Sequence, residues 1–237
     1  MEILLTNDDG PHAEGLRDFA AALGEMGKVT IVIPQVPRSG VGHSMCISDP
    51  LRVVKADDGT HLASGFPADC VKYALNRLYD GRPDLVVSGI NSGENTGVSV
   101  FYSGTVGGAR EGALNGITSV AVSVSKSCSP ASEKIIGIAL GIVDKAAGDG
   151  LPAGSLLNVN IPSEEPKGIR VAPQGRGRFE EELLESKDPR GGTYFWFDGS
   201  QNTDGEDDSD VVLFDRGYVT VTPLCRDETD RELLGRL

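Results

Sequence analysis

The sequence predicts an α/β fold, a Rossmann-like and mostly parallel sheet flanked by helices, with a β-rich C-terminal extension. Three observations carry this. The chain opens on an unbroken apolar run, Ile3-Leu4-Leu5, which suits a strand covered on both faces. Leu16, Phe19, Ala20 and Leu23 then recur at helical spacing before Gly27, and a β-branched run over 29–33 closes on Pro34, together a right-handed βαβ unit. Strand and helix go on alternating until about residue 161, where the alternation ceases.

Within that frame each element has a local reason. Stretches 46–54 and 61–64 read as short strands around the turn Asp57-Asp58-Gly59, a side hairpin. Pro67 opens a helix that buries Val71, Leu75 and Leu78, as proline does at a first helical position. Leu85-Val86-Val87 is the next core strand, 119–124 and 156–161 are further strands, and 135–147 is a helix. Beyond these, 168–173, 193–198 and 211–224 read as β-rich, and 228–237 as a short closing helix. The stretch 175–210 is too extended to bury its own faces. An isolated hairpin is marginal in water, so pairing with another subunit is the economical expectation. The expected division is a catalytic core over 1–165 and an oligomerisation extension over 166–237.

Composition narrows the function. With a net charge of −13, the chain lacks the basic character that a nucleic-acid polymer requires. Cys46, Cys70, Cys128 and Cys225 are scattered without a CxxC pair, which suits buried thiols in a reducing compartment. Neither a signal peptide nor a run of membrane-spanning length stands out, so the expectation is a soluble cytoplasmic protein without membrane attachment.

The chemistry concentrates at strand ends, where open α/β sheets bind ligands. The first strand runs into Asn7-Asp8-Asp9-Gly10. Adjacent carboxylates repel unless a proton or cation neutralises them, and a hard divalent ion is the natural oxygen-seeking partner. The same residues also make a good turn or helix cap. After the second strand comes a proline- and glycine-rich loop offering Ser39, His43 and Ser44. Two more segments, Ser88-Gly89-Ile90-Asn91-Ser92-Gly93-Glu94-Asn95 and Tyr102-Ser103-Gly104-Thr105-Val106-Gly107-Gly108, follow later strands. Backbone N–H groups over 103–106 are expected to point outward as an anion cradle at a helix start. No Gly-Lys-Ser/Thr and no GxGxxG after the first strand is present, which excludes the two common nucleotide loops. The acidic run Asp204-Gly205-Glu206-Asp207-Asp208-Ser209-Asp210 reads as a solvated loop and lacks EF-hand spacing.

Taken together, Ile3-Leu4-Leu5-Thr6-Asn7-Asp8-Asp9-Gly10, Arg38-Ser39-Gly40 with Gly42-His43-Ser44, Pro67-Ala68-Asp69-Cys70-Val71, Ser88-Gly89-Ile90-Asn91, Tyr102-Ser103-Gly104-Thr105-Val106 and Gly217-Tyr218-Val219-Thr220-Val221-Thr222-Pro223-Leu224 resemble the SurE survival-protein family over nearly the whole length. The resemblance implies a divalent-metal-dependent nucleotidase hydrolysing nucleoside monophosphates, with one Mg²⁺ or Mn²⁺ per subunit. It places the metal ligands on Asp8, Asp9, Ser39 and Asn91, and implies a swapped C-terminal hairpin that builds homodimers or homotetramers. On that implication Asp8 and Asp9 are the catalytic pair. Asn95, Ser103, Gly104 and Thr105 are candidate phosphate contacts, and His43 is a candidate acid for the leaving group. Phe66 and Ser99 depart from the family pattern, where threonine and an acidic residue are more usual. Two other classes compete: a phosphoacceptor regulatory module without turnover, and a sugar-nucleotide transferase.

Overall fold

Strand β1 (Glu2–Thr6) is the middle of the molecule because its run of apolar residues is fully buried on both faces. Side chains alternate across a strand, so Ile3 and Leu5 face one apolar cluster while Leu4 faces another. The computed structural model describes residues 1–177, 179–202 and 206–236, without the side chains of Phe179, Ser200 and Gln201.

From β1 the chain passes through α1 (Leu16–Gly24) to β2 (Lys28–Pro34), then β3 (Val53–Lys55), β4 (His61–Ala63) and α2 (Pro67–Arg77). The second half of the core is β5 (Leu85–Ser92), a 3-10 turn (Gly97–Phe101), α3 (Gly104–Leu114), β6 (Thr118–Val124), α4 (Glu133–Asp149) and β7 (Ser155–Ile161). Next come β8 (Ile169–Val171), β9 (Phe179–Lys187), β10 (Thr193–Gln201), α5 (Asp210–Asp215), β11 (Val219–Cys225) and α6 (Arg231–Leu234). The main sheet has the order β3-β4-β2-β1-β5-β6-β7-β11-β8. Strands β4, β2, β1, β5, β6 and β7 are parallel to their neighbours in that series, while β3 and β11 run antiparallel to β4 and β7. The fold is therefore α/β, as the alternation predicts.

Helices cover both faces. Phe19 and Leu23 of α1 pack with Ile135, Ala139 and Val143 of α4 on the Ile3/Leu5 side, and Cys70, Val71 and Ala74 of α2 pack on the Leu4 side. Burying one such large side chain is worth about 1.5–3 kcal/mol. The order decides where a ligand sits. From β1 the chain builds outward through β2 and β4 on one side and through β5, β6 and β7 on the other. The crevice at the carboxyl ends of β1 and β5 is thus the topological switch point.

Three local readings are corrected. Residues 46–52 form no strand, because both carboxylate oxygens of Asp69 capture the Cys46 N–H, at 3.1 and 3.0 Å. The same carboxylate accepts the Phe66 N–H at 2.9 Å, so α2 keeps half a capping box without a hydroxyl at its cap. The stretch 211–224 is not all strand: despite two valines, α5 forms first. Asp210, with no exposed surface, is no part of a solvated loop. Its carboxylate takes the N–H groups of Gly175 at 2.7 Å, Val211 at 2.8 Å and Gly97 at 3.1 Å, pinning α5 to the 3-10 turn. Asp204 and Gly205 of that acidic run, and Leu237 of the expected closing helix, lie outside the described residues. Third, the cysteines are free as expected, but only Cys70 is buried and Cys225 is exposed.

Removing the Asp210 carboxylate leaves these N–H groups without their partner. Asp210→Ala is expected to cost about 2–4 kcal/mol, measured by urea unfolding, with Asp210→Asn losing less.

Candidate active site

The turn after β1 is held by Asn7, whose side chain donates to Gly10 O at 3.0 Å and accepts from Gly10 N at 3.1 Å. The turn reading is therefore correct for Asn7, and that frees its neighbours for other work. Asp8 is only 5% exposed. Its Oδ1 accepts the Thr105 hydroxyl at 2.6 Å. Burial pushes its carboxyl up to about 6, helped by the neighbouring Asp9 charge and opposed by the Thr105 hydroxyl. Burial also raises Asp9, opposed by the Ser92 N–H at the end of β5. No Lys, Arg or His pairs with either carboxylate among the described residues.

Helix α3 closes the back of the site by close approach. A Cβ on Gly104 would stand 2.8 Å from Asp8 Oδ2, and one on Gly107 would stand 2.4 Å from Gly42 O. The glycines read as a phosphate cradle thus serve packing. Of the backbone groups expected to point outward, Ser103 N–H bonds Ser99 O at 3.1 Å and Val106 N–H bonds Ser103 Oγ at 3.0 Å. The cradle over 103–106 is correspondingly smaller than the sequence predicts.

The loop after β2 is tied in at several points. Arg38 N–H bonds Asp8 O at 2.7 Å and Gly42 N–H bonds Tyr102 O at 2.8 Å. The Arg38 guanidinium lies 5.0 Å from the Phe66 ring centroid, so the departure at Phe66 packs against the residue before Ser39. His43 Nε2 lies 2.9 Å from Glu111 Oε2, and Lys72 Nζ lies 2.8 Å from Glu111 Oε1. Glu111 is 3% exposed at its side chain. Burial alone would raise its carboxyl, but hydrogen bonds from His43 and Lys72 outweigh it and hold the group below its ordinary value.

A cleft of about 860 Å³ opens at the switch point. Asp8, Asp9, Ser39 and Asn91 all line it, as do Asn95 and Ser103. Asn91 Nδ2 donates to Gly93 O at 2.7 Å, which leaves its Oδ1 as the group to offer an ion. Asn95 Nδ2 donates one hydrogen to Ser123 Oγ at 2.8 Å and keeps a second. Ser103 Oγ accepts from Val106 and keeps its hydroxyl hydrogen. Thr105, Gly104 and His43 are not among the residues that line the cleft. Glu94, Tyr102, Lys126, Glu181 and Phe197, to which the sequence assigns no role, also line the cleft. For Lys126 the available signal was its place just beyond a parallel strand, on the ligand edge. Glu181 and Phe197 carried none, since they arrive from β9 and β10.

The donor set fits a hard divalent cation: two carboxylates with no counter-charge, a hydroxyl and an amide oxygen, all oxygen and none of them sulfur or imidazole. Residues 3–181 match the family model described as Survival protein SurE. The chain belongs to the SurE family. Members include the 5'-nucleotidase SurE of Chlorobium phaeobacteroides, 40% identical over 243 residues that cover 99% of this chain and 94% of that one. The 5'-nucleotidase SurE of Syntrophotalea carbinolica is 40% identical, covering 97% and 93%. The crystal structure of the SurE protein from Aquifex aeolicus superposes with a TM-score of 0.86 at 37% identity, covering 100% of this chain and 98% of that one. The family resemblance read from the motifs is thereby borne out. No helix among the described residues is long and apolar enough to cross a membrane.

Glu111 yields a prediction with a definite sign. A carboxylate whose folded pKa lies below its unfolded value adds stability that is present at neutral pH. That stability is lost as pH falls from the ordinary 4.5 through the lowered folded value. Glu111→Gln is expected to cost about 2–4 kcal/mol at pH 7, and the gap to wild type should narrow steadily in unfolding curves taken below pH 4.5.

Proposed function

We propose that this chain is a divalent-metal-dependent 5'-nucleotidase, a cytoplasmic phosphomonoesterase that takes nucleoside monophosphates to nucleoside and phosphate with one Mg²⁺ or Mn²⁺ per subunit. The observation that carries it is the pair Asp8 and Asp9, buried or half-buried, without a cation partner among the described residues, and sharing one cleft with Ser39 and Asn91. The family's nucleotidases support the reaction class.

Asp8, Asp9, Ser39 and Asn91 would hold the ion. Bound there, it supplies charge neutralisation at the phosphoryl group and acidifies water. The chain's own groups do the rest. Asp9, the more open carboxylate, takes the proton of the attacking water and returns it to the nucleoside alkoxide released as the P–O ester bond breaks. The free hydrogens of Ser103 and Asn95 steady the phosphoryl oxygens as negative charge builds. Thr105, whose hydroxyl is committed to Asp8, orients that carboxylate and does not itself meet phosphate. His43, engaged by Glu111, anchors the loop that carries Ser39 and is not assigned the leaving group. The exposed rings of Tyr102 and Phe197 on the cleft wall suit a nucleobase, since aromatic faces stack bases of any sequence.

The extension over 166–237 builds the assembly in this reading. In the β9–β10 hairpin Trp196 pairs with Leu184 and the next residue, Phe197, with Leu183. Adjacent pairs point to opposite faces, so both faces carry apolar side chains. Trp196 is 64% exposed and Phe197 74%. A two-stranded ribbon of this kind needs cover on both sides, and a second copy of the chain provides it in a homodimer or homotetramer.

Three outcomes are expected. Chelation should abolish phosphate release from a nucleoside 5'-monophosphate, with Mg²⁺ or Mn²⁺ restoring it. Asp8→Asn should lower kcat/KM by more than about a hundredfold with an unchanged circular-dichroism spectrum. Wild-type turnover by that variant in saturating metal would refute the site. In sedimentation velocity, wild type should run as dimer or tetramer and Trp196→Glu as a smaller species; a monomeric wild type would refute the hairpin's role.

A further inference from the structure

The cleft is acidic beyond its metal ligands. Glu94 and Glu181 line it as well, on a chain of net charge −13, so a phosphate dianion approaches against a repulsive field. Once a divalent ion offsets Asp8 and Asp9, no positive charge remains for the substrate unless the protein provides it. Among the described residues that line the cleft, Lys126 is the one Lys, Arg or His.

Its place is built by the sheet. Gly93 N–H bonds Val124 O at 2.8 Å, which joins the loop after β5 to the last residue of β6. Two residues on, the Lys126 stem lies over Gly93: a Cβ placed there would meet its Cε at 3.1 Å and its Cγ at 3.5 Å. Gly93 O in turn holds the Asn91 amide at 2.7 Å. Long cationic side chains settle in this way, with the stem against the protein and the head free. The ammonium makes no ion pair with Glu94, Glu181 or any other carboxylate among the described residues. A seated stem beside the Asn91 loop and an uncommitted charge in an acidic cleft are what a phosphate-binding lysine needs.

We propose that Lys126 is a substrate-binding residue whose ammonium meets the oxygens of the scissile phosphoryl group. The inference rests on the phosphomonoesterase reading of this cleft, and it names a contact which the motifs do not contain.

The test uses the full chain, Lys126→Met to keep the stem and Lys126→Arg to keep the charge. Calorimetry with inorganic phosphate in saturating Mg²⁺ should show Lys126→Met binding about tenfold more weakly than wild type, with Lys126→Arg recovering most of the loss and Mg²⁺ affinity unchanged in both. In turnover, kcat/KM of Lys126→Met should fall about tenfold, chiefly through KM. The fall should be equal for a nucleoside monophosphate and for p-nitrophenyl phosphate, which share only the phosphoryl group. Unchanged phosphate binding would overturn the proposal, as would a loss confined to the nucleotide or a fall in Mg²⁺ affinity. A wild type that binds phosphate but releases none from either ester would sink the hydrolase reading instead, and calorimetry would still judge Lys126.

Discussion

The structure turns on how closely α3 approaches the end of β1. Gly104 leaves room for the Asp8 carboxylate to lie against the helix start, and Thr105 then grips it. Burial without a counter-charge is unfavourable for a carboxylate, which is why its pKa rises. The contact therefore holds Asp8 in a state that a divalent cation relieves. The cost of keeping that carboxylate buried is met by the packed layers around it, the apolar clusters on either face of the sheet. Such local disfavour at a functional site is the usual relation between stability and function.

A second tier of contacts supports the first. Glu111 sits further along α3 and draws in both His43 from the loop after β2 and Lys72 from α2. Arg38 N–H reaches back to Asp8 O. The loop bearing Ser39 is thus fastened at either end to elements already set by the sheet. A site assembled from loops stays precise when each loop is fixed by buried polar partners. The hairpin belongs to a different regime. It is held by its own ladder, and its apolar faces are turned outward, yet it delivers Glu181 and Phe197 to the cleft. One element thus carries exposed apolar side chains and also two residues of the cleft wall.

Much of this was legible in the residues. Ile3-Leu4-Leu5 announced a doubly covered strand, the helical spacing of Leu16, Phe19 and Leu23 announced α1, and the polar clusters after successive strands marked the ligand edge. Those signals are local and periodic, so a single sequence carries them. The errors have a common source too. Val211 and Val212 favoured strand, but a carboxylate reaching across from Asp210 to Gly97 and Gly175 made a helix. The glycines of α3 read as a cradle for a ligand, yet they accommodate protein.

What the sequence determined by itself is the alternation of strands and helices, the family, and the adjacent pair of acids at the end of the first strand. Tertiary structure alone decided the use of the remaining polar groups. It committed Thr105 to Asp8 and His43 to Glu111, and it brought Lys126 and the hairpin's Phe197 to the same opening. The reason is physical: periodicity is written in neighbours along the chain, whereas a hydrogen-bond partner is chosen by whatever the folded sheet brings within about 3 Å.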